Sequence, residues 1–234
     1  MVSPRTREPE TSNLKPRLRE VLFDWDGTLA DSAEASLRCY VRLFACFGIA
    51  FDRERFGQTY SPDWYQTYEA VALPRRLWSE ADARWVELYG EEKPRLLPGA
   101  RRALAKLRAG GLSTALVTSG NRSRVERELA RLKLSGQFDA LVCSEDVRRK
   151  KPDPESLHLA LDRLRRTPPQ VAFVGDSPED VAMCRASGVY VVGVEGGFPN
   201  RDALRASRPD LLARDLAHAA EALLARAIPI GREP

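Results

Sequence analysis

A Rossmann-like α/β fold, a doubly wound parallel sheet with a small α-helical cap domain inserted after the first strand, is the fold class this sequence predicts. Short, mostly apolar runs alternate with helical periodicity from about residue 98 onward. Between Thr28 and Thr114 the alternation stops, and that stretch carries helical patterns alone. Four polar words, each following an apolar run, supply the third observation: Asp24-Trp25-Asp26-Gly27-Thr28, Val117-Thr118-Ser119-Gly120-Asn121, Lys151-Pro152-Asp153-Pro154 and Gly175-Asp176-Ser177-Pro178-Glu179-Asp180.

Taken in order, the expected strands are residues 21–23, 114–117, 140–143, 171–174 and 189–192, runs apolar enough to be buried on both faces, as parallel strands are. After the first of them, Ala35, Leu37, Tyr40, Val41, Leu43, Phe44 and Phe47 form one helical face that Gly48 ends. Trp78, Trp85, Val86 and Leu88 predict another helix before Pro94. Leu104 and Leu107 precede the stop at Gly110-Gly111, and Val125, Leu129 and Leu132 repeat at four- and three-residue spacing. Right-handed crossovers between such strands put ligands beyond the strands' carboxyl ends, where all four words fall. The expected organisation is a disordered tail over residues 1–18, a core from residues 19–30 and 96–234, and a helical domain over residues 31–95.

At 234 residues, 43% hydrophobic and 30% charged, the chain has material for one full core and a small accessory domain. Residues 1–20 hold five basic and three acidic side chains, so about half of the net +4 belongs to the tail, which argues against a nucleic-acid partner. No run approaches the roughly 20 apolar residues of a membrane span, and the first 20 residues lack the apolar centre of a signal peptide. A cytoplasmic protein without a membrane partner is expected. The four cysteines show no metal-ligand spacing and are expected to be buried free thiols. The two histidines, His158 and His218, stand outside the four words, which leaves the chemistry to carboxylates.

Residue geometry adds detail at each word. Two positions apart on an extended segment, Asp24 and Asp26 face the same way and Trp25 faces away. Ser177, Pro178 and Asp180 read as N-cap, N1 and N3 of a helix, so Asp180 is either a helix cap or part of a metal's surroundings; Asp176, ahead of that helix, is the stronger metal ligand. Thr118 ends a strand, and the N–H groups of Ser119 and Gly120 stand at the next helix N-terminus. In the insert, Tyr60, Trp64 and Tyr65 surround a turn signal between helices and are the aromatic residues expected to meet substrate; the alternative is that they fill the small domain's core.

These words and their spacings resemble the haloacid dehalogenase-like (HAD) superfamily of phosphotransferases over nearly the whole chain from Val21 to the last strand. The Phe23-Asp24-Trp25-Asp26-Gly27-Thr28-Leu29-Ala30-Asp31-Ser32 opening and the Leu97-Pro98-Gly99-Ala100 re-entry look like its phosphoglycolate phosphatase branch, which also holds pyrophosphatases, sugar-phosphate phosphatases and phosphomutases. The resemblance implies a Mg²⁺-dependent phosphatase of a small phosphorylated metabolite, acting through an aspartyl-phosphate. Asp24 would be the nucleophile and Asp26 the general acid and then base. Lys151 would neutralise the phosphoryl group, and Trp25 (through its backbone N–H), Thr118, Ser119 and Gly120 would bind it. Asp24, the Asp26 carbonyl, Asp176 and Asp180 would surround the metal. The insert would be a cap that closes over the substrate, with hinges at residues 29–32 and 93–99. Asp26 argues against a dehalogenase, because a departing halide needs no proton. A phosphomutase or pyrophosphatase of the same superfamily and a phospholigand-binding relative without turnover are the alternatives, and a monomer or homodimer is expected. Residues 193–200 are more glycine-rich and acidic than the short aromatic loop of the branch, which predicts an altered pocket rim.

Overall fold

The computed structural model describes residues 18–227. In chain order the elements are β1 (Glu20–Phe23), β2 (Ala30–Asp31), α1 (Ala33–Cys46), α2 (Arg53–Thr59), α3 (Trp64–Ala70), α4 (Trp78–Gly90), β3 (Arg95–Leu96), α5 (Ala100–Ala109), β4 (Ser113–Val117), α6 (Arg122–Arg131), β5 (Leu141–Val142), α7 (Glu155–Leu164), β6 (Val171–Gly175), α8 (Pro178–Ser187), β7 (Tyr190–Val194), α9 (Arg201–Ser207), β8 (Leu211–Ala213) and α10 (Leu216–Arg226). Six strands form one parallel sheet in the order β5-β4-β1-β6-β7-β8. This is the expected Rossmann-like sheet.

The strands read as continuous apolar runs because helices cover both faces. Val21 and Phe23 of β1 point into a core shared with Leu104, Leu107, Val125 and Leu223, whereas Leu22 points into the opposite core with Phe173, Leu157, Val181 and Leu204. β1 lies between β4 and β6, so the residues after it emerge at the centre of the sheet's carboxyl edge. The words after β4 and β6 flank them there.

Helices α1 to α4 occupy the interval between β2 and β3, as the insert's pattern predicts. They enclose a third core of Tyr40, Leu43, Phe44, Phe51, Phe56 and Tyr68, which Phe198 joins from the loop after β7. The chain leaves for these helices and returns through the two-residue antiparallel pair Ala30↔Leu96 and Asp31↔Arg95. Among the described residues no helix is long and apolar enough to cross a membrane.

Several details depart from the sequence reading. Residues 1–17, and with them most of the expected tail, lie outside the described residues, but Leu18 is buried and bridges to Ala227. Val41, expected on the apolar face of α1, is 38% exposed, and Val86 of the expected helix before Pro94 is 50% exposed, because each is rotated off the side of its helix that packs. Cys39, Cys143 and Cys184 are buried free thiols; Cys46 is free but exposed at the end of α1. β8 was not read as a strand. It has three residues, of which only Ala213 is buried.

Candidate active site

The carboxyl edge of the sheet and the helical insert enclose a cavity of about 320 Å³. Its floor brings together Asp24 and Asp26 from the turn after β1, Thr118, Ser119 and Gly120 after β4, Lys151 before α7, and Asp176 and Asp180 after β6.

The buried ammonium of Lys151 lies 2.7 Å from Asp24 Oδ1 and 2.8 Å from Asp180 Oδ1. Burial opposes its charge, but Asp180 and Asp24 together hold its pKa above the ordinary lysine value. Asp180 also satisfies the helix cap: its Oδ2 accepts from the Ser177 N–H and hydroxyl, while Ser177 Oγ accepts from the Asp180 N–H. One side chain therefore caps α8 and turns its other oxygen into the cavity. A Cβ at position 175 would collide with this carboxylate, so Gly175 makes room for Asp180. Gly27 has φ +79°, and a Cβ there would strike the Asp176 carboxylate.

Asp24, Asp176 and Asp180 each offer a carboxylate oxygen within 4.8 Å of the others, and all three are buried. Burial first, and then the neighbouring Asp24 and Asp180 charges, push the Asp176 pKa well above the usual carboxylate range. Burial likewise raises Asp24 to about 7; Lys151 pulls down against it and Asp180 pushes up. Three acids share one lysine in a desolvated site, so their fully ionised form is disfavoured unless a further cation joins them. Asp176 Oδ2 is buried and has no hydrogen-bond partner. An orphaned carboxylate oxygen within a hard-oxygen cluster suits a divalent cation, and the donor set matches Mg²⁺ chemistry.

The remaining expected residues fall less uniformly. The Asp26 carboxylate is gripped by Arg124 of α6 through two hydrogen bonds, Nη1 to Oδ1 at 3.0 Å and Nη2 to Oδ2 at 2.5 Å. Trp25 is fully buried, and its Nε1 donates to Glu128 at 2.5 Å. The Gly120 N–H donates to Thr118 Oγ1 at 3.0 Å, within the turn. Tyr60 and Trp64 line the cavity. Tyr65 is not among the lining residues: it stacks on Trp78, centroids 4.8 Å apart, and its hydroxyl donates to Asp82. The glycine-rich loop after β7 does reach the rim, through Phe198 stacked on Tyr60 at 4.5 Å.

Sequence reasoning missed Arg124, Tyr89, Asp82 and Lys150, all lining the cavity. Arg124 and Glu128 share α6's inner side with Val125 and Leu129, and charges on an apolar face are a readable signal of a buried pair. Asp82 accepts from Trp64 Nε1, Tyr65 and Tyr68, the acceptor that polar-tipped rings need once buried. The Lys150 ammonium sits 3.3 Å from the Trp64 ring centroid. It stands in the run of four cations Arg148-Arg149-Lys150-Lys151, where nothing local sets it apart.

A family model described as haloacid dehalogenase-like hydrolase matches residues 21–194. The phosphoglycolate phosphatase of Yersinia pestis is 32% identical over 226 residues, covering 91% of this chain and 94% of that protein. That of Salmonella paratyphi A is 30% identical, with 86% and 90% covered. A solved haloacid dehalogenase-like family hydrolase from Streptococcus pneumoniae superposes with a TM-score of 0.78 at 21% identity, covering 88% of this chain and 98% of that one. The chain belongs to the haloacid dehalogenase-like hydrolase family, on its phosphoglycolate phosphatase-like branch. It is an enzyme of the phosphatase kind.

Proposed function

We propose that this protein is a Mg²⁺-dependent phosphatase that hydrolyses a small phosphorylated metabolite through a phosphoaspartate on Asp24. The observation that carries the reading is the buried cluster of Asp24, Asp176 and Asp180 around Lys151, with its unpartnered Asp176 oxygen, at the floor of the cavity between sheet and insert. Asp24, Asp176, Asp180 and the Asp26 carbonyl would hold Mg²⁺, which when bound would offset the repulsion between an attacking carboxylate and a phosphate dianion.

In the first half-reaction an Asp24 oxygen attacks phosphorus, the bond from phosphorus to the leaving oxygen breaks, and Asp26 delivers its proton to that oxygen. In the second, water attacks the same phosphorus while Asp26 takes its proton. The bond to Asp24 then breaks and inorganic phosphate departs. Lys151 would balance charge on Asp24 and the phosphoryl oxygens, and Thr118 and Ser119 would contact those oxygens. The helical segment 31–95 would act as a cap that excludes water and contributes the wall around the leaving group.

Hydrolysis is expected to stop with a chelator and return with Mg²⁺, while Ca²⁺, larger and looser in coordination, inhibits. Mg²⁺ is also expected to raise the Tm of the substrate-free enzyme, because it binds the folded cluster and not the unfolded chain. A Tm unchanged by Mg²⁺, with full activity in chelator, would overturn the metal assignment.

The cavity lining separates two neighbouring aromatics. Trp64→Ala is expected to lower kcat/KM for the natural substrate about tenfold more than for p-nitrophenyl phosphate, since contacts with the non-reacting part of a substrate are lost. Tyr65→Ala, which removes the stack on Trp78, is expected to lower Tm and slow both substrates alike. Identical ratios for the two variants would remove Trp64 from substrate selection. A phosphate-release screen across small phosphate esters, with and without Mg²⁺, identifies the substrate and tests the activity itself.

A further inference from the structure

A second charged cluster lies beside the catalytic one, and its centre is Arg124. The guanidinium makes two parallel hydrogen bonds to both oxygens of Asp26. It is itself held by Glu128 and Tyr89. Its Nη1 lies 3.4 Å from each oxygen of Glu128, one turn along α6. Glu128 is buried and is anchored by the Trp25 indole. The Tyr89 ring of α4 covers the guanidinium, with the Arg124 Cζ 4.9 Å from the ring centroid. α6 is fixed at its start by Asn121, whose side chain accepts from the Arg124 N–H.

We propose that Arg124 is a positioning residue for Asp26 as the base in water's attack on the phosphoenzyme, and does not act on the attack of Asp24 at phosphorus. The proposal rests on the assignment of Asp26 as acid and base. A fork of two parallel bonds fixes a carboxylate's place and its plane, which a single bond or a lysine cannot do. Without Arg124 the Asp26 side chain, 26% exposed on a turn, is free to leave its rotamer. Asp24 has no part in this cluster, because its own partner is Lys151. The chain that fixes Asp26 runs through Arg124 and Glu128 to the buried Trp25 indole. Tyr89 ties the arrangement to the helical insert.

Stopped-flow kinetics with p-nitrophenyl phosphate separate the two steps, because nitrophenolate leaves without a proton whereas water attack on the phosphoenzyme needs Asp26 as base. Arg124→Ala is expected to show a burst of nitrophenolate near one equivalent, at a rate within about threefold of wild type. The steady phase that follows should be slowed about 10- to 100-fold. Asp26→Asn is expected to show the same signature. Arg124→Ala introduced into Asp26→Asn should cost less than about threefold more, since two residues acting through one step are not additive. Arg124→Lys, which keeps the charge and one hydrogen bond, should recover part of the steady rate and serves if the alanine variant does not fold. Equal slowing of burst and steady phase, or a full additional loss on the Asp26→Asn background, would overturn the proposal and make Arg124 a phosphate-binding or structural residue. If Asp26→Asn itself kept both phases at wild-type rates, the assignment of Asp26 would fall instead. If only Asp26→Asn slowed the steady phase, the Arg124 proposal alone would fall.

Discussion

Asp24→Asn is expected to lower turnover by about three orders of magnitude or more while the protein stays folded. The amide has nearly the same volume but cannot attack phosphorus. Its effect on stability is predicted to be small because Lys151 keeps its second partner, Asp180, at 2.8 Å. The substitution also removes one of three crowded acids whose charge burial disfavours. The check is a phosphate-release assay beside a thermal melt. A folded variant retaining a tenth of wild-type activity would remove Asp24 as nucleophile.

Lys151→Met is expected to damage both activity and stability. Methionine fills the aliphatic volume but leaves Asp24, Asp176 and Asp180 buried together with no ammonium among them. Breaking a buried ion pair by removing one partner costs about 3–5 kcal/mol, and losing the cation that the proposed mechanism sets against the phosphoryl group should lower kcat by about 10²- to 10³-fold. The two losses should respond differently to metal. Added Mg²⁺ supplies positive charge to the same carboxylates, so it should recover more stability in the variant than it adds to wild type, without restoring kcat. Denaturant melts of both proteins with and without Mg²⁺ make the comparison. Equal metal-free stability would mean that Lys151 contributes nothing net to the fold.

Much of this architecture was legible because central strands have no choice of composition. β1, β4 and β6 are covered on both faces, so their apolar runs, and the polar words that end them, stood out. β5 and β8, with two and three residues at the sheet's edges, carry too little pattern to mark their ends. At the site, Asp180 caps α8 with one oxygen, as its spacing from Ser177 predicts, while its other oxygen meets Lys151, 29 residues away, a contact that no local spacing marks. Trp64 and Tyr65 were inseparable in the sequence. Adjacent positions on a helix point about 100° apart, and a seven-residue helix is too short to reveal which side faces the cavity. Arg124 and Lys150 were unread because their partners, Asp26 and Trp64, are 98 and 86 residues away, and only the tertiary fold brings them together.

The stereochemical course at phosphorus tests the central claim most directly. A substrate whose transferred phosphoryl group is made chiral with oxygen isotopes or sulfur is hydrolysed, and the configuration of the released phosphate is read. Two successive in-line displacements, Asp24 on the ester and then water on the phosphoaspartate, predict retention, whether or not the intermediate accumulates. Inversion would mean that water attacks the ester in a single displacement, and Asp24 would then be a residue that binds metal and carries no phosphoryl group.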